Sequence, residues 1–387
     1  MSLVLPLVMT LLSVLQPPVT QVGATLPGWQ EGMLDIHAVN TGRGECTFII
    51  YPDGTTLLVD AGDLFGYKPS KYEPVPARPS DEEEEEPWEV YADYIRHFLP
   101  EGHDHLDYCL ITHYHMDHYG HIGKGRKMHP DGGYALAGPT GLYSIVPFDR
   151  VIDRSWPNYP DDESLKTLKN YRLFIQYNSE HNGLIPEHFN VGTDKQLAPV
   201  YHPETYPGFS IFGYAASGLV WNGSAVIDTK AKHENGLSCA FLLSYGKFDY
   251  FTSGDMNQQN TCKAVAKAIG RKIEAMKAHH HMSNEASYAI EAEVYQPQVV
   301  VTQSFYERDI QPNQNIIKEY SGKHDMFFTN LPMTLVNASP EIYKDCKCEG
   351  GHIVIRVAPD GDFYVYVLDD TDKEYTVKSI YGPYKSE

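Results

Sequence analysis

The sequence predicts a mixed α and β fold in which strands and loops outweigh helices. Three observations predict it. Tyrosine (28), glycine (31) and proline (26) are abundant, which suits strands joined by turns. Apolar runs bounded by turn signals alternate with helical segments from about residue 33 to 370. No clean linker interrupts that alternation, so residues 31–387 are read as one domain and 1–30 as a signal-like or flexible segment. At 387 residues and 42% hydrophobic, the chain can bury a sizeable core.

The elements follow in chain order. Residues 46–63 read as a hairpin around Pro52-Asp53-Gly54, and its second run ends in Asp60-Ala61-Gly62. Residues 87–98 predict a helix with Pro87 in its first turn and Pro100 beyond its end. The apolar run 106–112 is a buried strand that leads into a cluster of histidines. Leu165, Leu168, Arg172 and Ile175 predict a helix over 161–177. Residues 178–210, polar and proline-rich, are expected to be a long surface excursion. A hairpin over 239–256 turns at Gly246-Lys247, and a helix closed by Gly270 follows it. Strands are expected at 273–278 and 298–305, and a last hairpin at 352–370.

The formal charge of −20 (31 basic and 51 acidic residues) opposes nucleic-acid binding outside a local basic groove. Part of the excess lies in the run at 81–89, read as a solvated loop before a helix. The six cysteines have no zinc-ribbon spacing, and Cys109 and Cys239 lie in apolar runs as small core residues. The apolar stretch 3–15 is too short to span a bilayer. It resembles the core of a signal peptide but lacks preceding Lys or Arg. The reading is a secreted or periplasmic protein, with a cytoplasmic one as the alternative. Asn222 and Asn337 fit the glycosylation pattern, which is frequent by chance.

The chemistry concentrates in residues 111–123, Ile-Thr-His-Tyr-His-Met-Asp-His-Tyr-Gly-His-Ile-Gly. On a tight turn after a strand, His113 and His115 could grip one metal while Asp117 and His118 face another. Asp60, Asp255 and the triplet His279, His280, His281 stand at the ends of three other expected strands. Scaffolds commonly gather functional groups at strand ends. His121 and His129 receive no role. Trp156, Tyr159, Tyr206 and Trp221 are read as core or loop anchors rather than one aromatic wall.

These segments resemble the metallo-β-lactamase superfamily. Leu58-Val59-Asp60-Ala61-Gly62 looks like its first motif, residues 113–118 match His-x-His-x-Asp-His, and Ser253-Gly254-Asp255 looks like its bridging-aspartate motif. The likeness spans roughly residues 33–310 and implies a four-layer αββα sandwich. Residues 235–256 and 276–287 resemble the hydrolase domain of bacterial competence (DNA-uptake) proteins and a bacterial choline-phosphate esterase. Aligned so, His280 and His281 fall on a double histidine and Ser283 on a serine, while His279 replaces a proline and Met282 a glycine.

The resemblance implies two ions, zinc first, with manganese or iron as alternatives. His113, His115 and the bridging Asp255 would hold one. Asp117, His118, Asp255 and His280 would hold the other, although which of His279, His280 and His281 is the ligand stays open. A shared water, acidified to a pKa of ~7, would supply hydroxide. Asp117 and His281 are the expected catalytic groups, His281 as donor to the transition state or leaving group. Asp60 is expected to orient a ligand or the turn. Asn235 or His233 would complete the first ion's shell. The expected activity is hydrolysis of a phosphodiester or phosphomonoester, on a small phosphorylated molecule. Nuclease action, β-lactam or thioester hydrolysis, and non-catalytic metal binding are the alternatives. The likeness to DNA-uptake proteins speaks for a nuclease, while the −20 charge and the lack of any Lys/Arg-rich stretch beyond 123–127 speak against it.

Overall fold

The computed structural model describes residues 20–42, 44–62, 64, 85–160, 166–284, 289–304, 311–331, 333–347 and 350–387. Most of the signal-like segment, the acidic residues 81–84, residues 161–165, Phe305 and Cys348 lie outside them. No helix among the described residues is long and apolar enough to cross a membrane.

Two nine-stranded sheets carry the fold. Sheet 1 begins with β1 (Leu34–Ala38), β2 (Thr47–Ile50) and β3 (Thr56–Val59), an antiparallel meander. It continues in parallel through β4 (Leu106–Ile111), β5 (Phe148–Asp153) and β6 (Ile185–His188). Sheet 2 contains β7 (Phe209–Ala216), β8 (Leu219–Trp221), β9 (Val226–Asp228), β10 (Ala240–Tyr245) and β11 (Phe248–Thr252) as antiparallel neighbours. It goes on in parallel with β12 (Ala275–Lys277), β13 (Val299–Thr302), β14 (Asp325–Phe328) and β15 (Cys346–Lys347). The chain then returns to sheet 1, where β16 (His352–Val357) pairs with β1 and carries β17 (Phe363–Leu368) and β18 (Val377–Tyr384). Each sheet thus has the same plan, an antiparallel part followed by a parallel part.

The residues alternate between cores as strand geometry requires. In β4, Cys109 and Ile111 enter one core while Tyr108 and Leu110 enter another. In β10, Phe241, Leu243 and Tyr245 face that second core while Ala240 and Leu242 face a third. The second core therefore lies between the sheets. The first lies between sheet 1 and the helices α1 (Pro87–Phe98) and α4 (Lys166–His181), through Tyr91, Tyr94, Phe98, Tyr171 and Phe174. Two short helices, α2 (Met116–Tyr119) and α3 (Pro139–Leu142), precede α4. The third core lies between sheet 2 and α5 (Gln259–Ile269), α6 (Ala289–Tyr295) and α7 (Gln314–Tyr320). Helices α8 (Met333–Ala338) and α9 (Pro340–Tyr343) follow. This is the expected four-layer αββα sandwich. Both faces of each sheet are covered, which explains why strands such as Phe-Leu-Leu or Val-Val-Val show no polar alternation.

Helix α1 occupies the expected residues, and Glu89 accepts the Glu86 N–H at 2.8 Å to close its first turn. Gly270 ends α5 at φ 59°, as the sequence predicts. The expected surface excursion needs correction. Helix α4 runs on to His181 and β6 follows, so only residues 189–208 form a connection without helix or strand. Cys46, Cys109, Cys239 and Cys262 are buried free thiols.

Two buried histidines lie in the outer core of sheet 1. His37 Nδ1 meets the Tyr94 hydroxyl at 2.9 Å, and His352 Nδ1 accepts the Asn40 N–H at 3.0 Å. Burial, and then the proximity of His37, pushes the His352 pKa down to about 3. The native ring stays neutral while the unfolded one takes a proton below about 6.5. Its stabilising contribution is therefore complete above pH ~6.5 and is lost as pH falls toward 3, at up to about 1.4 kcal/mol per unit. Denaturant unfolding between pH 6.5 and 5 should show stability falling with pH, and His352→Gln should make that fall less steep.

Candidate metal centre

The parallel strands β3, β4, β11 and β12 present their C-terminal ends on one side of the sandwich. Asp60 follows β3, His113 follows β4, Asp255 follows β11, and a tight turn at His279–Met282 follows β12. Three backbone segments meet there almost without gap. The Glu45 N–H donates to the Asp117 carbonyl (2.8 Å), Gly62 N–H to Glu45 (2.6 Å) and Ala61 N–H to His118 (2.9 Å). Glycine is required for this approach. A Cβ on Gly62 would stand 1.9 Å from the Asp117 carbonyl oxygen, and one on Gly44 2.4 Å from the same atom.

Two clusters of donors result, with Asp255 common to both. In the first, His113 Nε2 lies 3.2 Å from His115 Nδ1 and 3.8 Å from Asp255 Oδ2. In the second, formed by Glu45, His118, Asp255 and His281 with Asp117 beside it, His118 Nε2 lies 3.1 Å from Asp255 Oδ1. His281 Nε2 lies 3.2 Å from Asp117 Oδ2 and 3.9 Å from Asp255 Oδ1. Ligands about 2.0–2.1 Å from a tetrahedral ion stand about 3.3 Å from one another, so these separations are of the size that a shared cation requires. His118 Nε2 and Asp255 Oδ1 are buried with no hydrogen-bond partner among the described residues. A cation between them would satisfy both. Histidine and carboxylate donors without thiolate suit zinc, manganese or iron.

The proton positions agree. The Gln303 carbonyl can only accept, so the 2.9 Å contact assigns a proton to His281 Nδ1 and leaves Nε2 as the nitrogen turned toward the carboxylates. Asp60 holds His118 Nδ1 at 2.8 Å in the same way. Asp60 also accepts the Thr112 N–H (2.8 Å) and hydroxyl (2.6 Å), and that hydroxyl faces His113 Nδ1 at 3.2 Å. One carboxylate thereby orients two imidazoles. Asp60 does so at φ 59°, a strained conformation for a non-glycine residue.

The electrostatics point the same way. Burial would lower the His118 pKa, but Asp255, Glu45 and Asp60 hold it well above the usual value. Burial likewise opposes protonation of His281, and Asp255, Asp117 and Glu45 outweigh it. Conversely, Asp255 is buried, yet His118, His280 and His281 hold its carboxyl well below the usual range. The site carries an excess negative field that positive charge relieves.

The histidine triplet divides its tasks. His279 is buried, with Nδ1 on Ser253 Oγ and Nε2 3.1 Å from Glu291. His280 meets Asn235 Nδ2 through Nε2 (3.1 Å) and Ser283 Oγ through Nδ1 (2.7 Å). Its Nε2 is 3.8 Å from Asp255, and its side chain is 17% exposed while that of His281 is fully buried. Positive φ at His280 (48°), His281 (51°) and Met282 (60°) sets these directions. His233 is exposed and does not join the His113, His115 and Asp255 cluster. His121 and His129 stand apart from both clusters, and His129 stacks on Tyr134.

Several supporting residues were not anticipated. Glu45 and Lys277 form a buried ion pair against the second cluster. Glu234 accepts the Tyr114 N–H (2.8 Å) and pairs with Arg154 (2.6 Å), clamping the residue between His113 and His115. Asp153 accepts the hydroxyls of Tyr114, Tyr159 and Tyr171 at 2.8–3.0 Å. Their signal in the sequence is weak, because each partner is remote in the chain. Trp156 and Tyr159 line a common cavity, whereas Tyr206 packs on the inter-sheet core and Trp221 on the outer core of sheet 2. These four do not form one wall.

No family model matches the chain, and neither does any curated protein. Among solved structures it is similar to a mutant of the beta-hydroxylase CmlA, with 12% identity and a TM-score of 0.39. That match covers 84% of this chain and 54% of the other, so the chain spans about half of CmlA's length. A possible metal-dependent hydrolase of Veillonella parvula is 9% identical, with a TM-score of 0.38 over 83% of this chain and 99% of the other. Zinc-bound PqqB of Methylobacterium extorquens is 12% identical, with a TM-score of 0.36 over 80% and 86%.

Proposed function

We propose that this chain is a metal-dependent hydrolase of the metallo-β-lactamase superfamily with a two-ion centre, acting on a small phosphodiester or phosphomonoester. The observation that carries the reading is the pair of histidine–carboxylate clusters meeting at Asp255. His113, His115 and Asp255 would hold one ion. Asp117, His118, Asp255 and His281 would hold the other, with zinc the first choice. The geometry supports His281 in place of His280, the ligand expected from the motif, because His281 Nε2 faces two carboxylates while Asn235 engages His280 Nε2.

Two divalent cations, when bound, would acidify a water and take up negative charge that develops on the substrate. The chain's own residues prepare the rest. Asp60 and the Gln303 carbonyl hold the Nδ1 protons of His118 and His281, keeping both Nε2 lone pairs inward. Burial of His113, His118, Asp255 and His281 excludes bulk water and strengthens every charge interaction. His280, the more exposed ring beside Asp255, takes the donor role expected of His281, with Asn235 and Ser283 fixing its plane.

The phosphoester preference rests on the resemblance to the competence-protein hydrolase domain and to choline-phosphate esterase. The −20 charge weighs against nucleic acid as substrate. The signal-like start supports a secreted or periplasmic protein. Zinc- or manganese-loaded protein should hydrolyse bis(p-nitrophenyl) phosphate or p-nitrophenyl phosphate, and a chelator should abolish turnover. Nitrocefin and single-stranded DNA should remain intact. Turnover of nitrocefin or DNA with both phosphate esters untouched would overturn the substrate class.

A further inference from the structure

Glu45 and Lys277 come from different sheets and meet beneath the metal centre. Glu45 precedes β2, and Lys277 ends β12. The Lys277 ammonium binds Glu45 Oε1 and donates to the Gly254 carbonyl at 2.8 Å, one residue before Asp255. Both side chains are almost completely buried, 2% and 4% exposed. Glu45 Oε2 lies 3.5 Å from His118 Nδ1, and Oε1 lies 3.6 Å from His281 Nδ1. One carboxylate thus stands behind two imidazoles whose Nε2 atoms face Asp255.

Glu45, His118, Asp255 and His281 offer donor atoms close enough to surround a single ion. Two facts set Glu45 behind the rings instead of among the ligands. It approaches the Nδ1 edges, which carry protons for Asp60 and Gln303. Its Oε1 is committed to the Lys277 ammonium. A buried carboxylate lacking that ammonium would bear an uncompensated charge and compete for the ion.

We propose that Glu45 and Lys277 are a positioning pair: Glu45 supports the two histidines of the second ion from behind, and Lys277 keeps Glu45 from becoming a ligand itself. The pair also ties the β1–β2 connection of sheet 1 to the Gly254–Asp255 turn of sheet 2, so both halves of the centre keep one spacing. This inference rests on the proposed two-ion centre and adds to it the residues that set the affinity of one ion.

The test compares wild type, E45Q, K277M and the E45Q/K277M double variant. Zinc affinity is measured by competition with a chromophoric chelator, metal per chain by elemental analysis, and ligand geometry by the visible spectrum of the cobalt-substituted protein. E45Q should keep the wild-type metal count and cobalt band positions while binding the second ion about 10–100-fold less tightly. K277M should melt lower than wild type without metal and show a changed cobalt spectrum as Glu45 enters the coordination shell. The double variant should recover the melting temperature and the band positions. If K277M fails to fold, E45Q and the double variant still decide the matter. Unchanged zinc affinity in E45Q would overturn the proposal, as would loss of an ion from E45Q, which would make Glu45 a ligand. A wild-type chain that binds no metal would instead defeat the two-ion reading beneath it.

Discussion

Gly62→Ala should abolish tight metal binding and lower the melting temperature by several degrees. The backbone itself would accept alanine, so the effect comes from space alone. The new methyl carbon would lie 1.9 Å from the Asp117 carbonyl oxygen, 2.6 Å from its carbon and 2.7 Å from the Glu45 nitrogen. All three are backbone atoms, so no side chain can swing away. Relief requires the 44–45, 61–62 and 117–118 segments to separate, which breaks the hydrogen bonds that join them. Overpacking of this kind costs about 1–3 kcal/mol or more. A displacement of about 1 Å at a functional site can cost roughly 100-fold in function. Asp117 and His118 would move with the backbone, so the second ion suffers first. Gly28→Ala, where the added carbon meets nothing within 4 Å, is the neutral control. Thermal melting with and without zinc, together with chelator competition, checks the expectation.

His281→Ala and His280→Ala should separate clearly, although the two residues are neighbours. His281 is fully buried, its Nδ1 proton is held by Gln303, and its Nε2 faces Asp117 and Asp255. Its removal leaves two carboxylates facing each other with one fewer ligand. The second ion should then be lost at chelator concentrations that wild type withstands. His280 is partly exposed, and its ring is engaged by Asn235 and Ser283. His280→Ala should keep the metal and lose turnover by about 10²–10⁴-fold, the usual contribution of a positioned proton donor. Retained metal in His281→Ala with lost metal in His280→Ala would return the ligand role to His280.

The strand ends were legible because their signals are local. A six-residue apolar run followed by His-x-His-x-Asp-His needs no distant partner to be recognised. The same holds for the apolar strands that end at Asp60 and Asp255. The triplet was less legible. His280, His281 and Met282 all adopt positive φ without a glycine to announce it, so neither period nor spacing indicates which ring points inward. Glu45 was missed for a different reason. Its partner Lys277 is 232 residues away, and the loop that carries it reads as an ordinary turn. The clamp of Tyr114 by Glu234 spans 120 residues and leaves no local pattern either. In the fold, β6 was hidden inside a proline-rich stretch, because Ile-Pro-Glu-His at a sheet edge lacks the apolar run of a buried strand.

Metal content of the wild-type chain tests the central claim most directly. The protein is stripped with chelator, reloaded with excess zinc, freed of unbound metal by gel filtration, and assayed by elemental analysis. The two clusters that meet at Asp255 predict two zinc ions per chain. A chain that emerges without zinc, or with zinc that Asp255→Ala leaves in place, would contradict the centre described above.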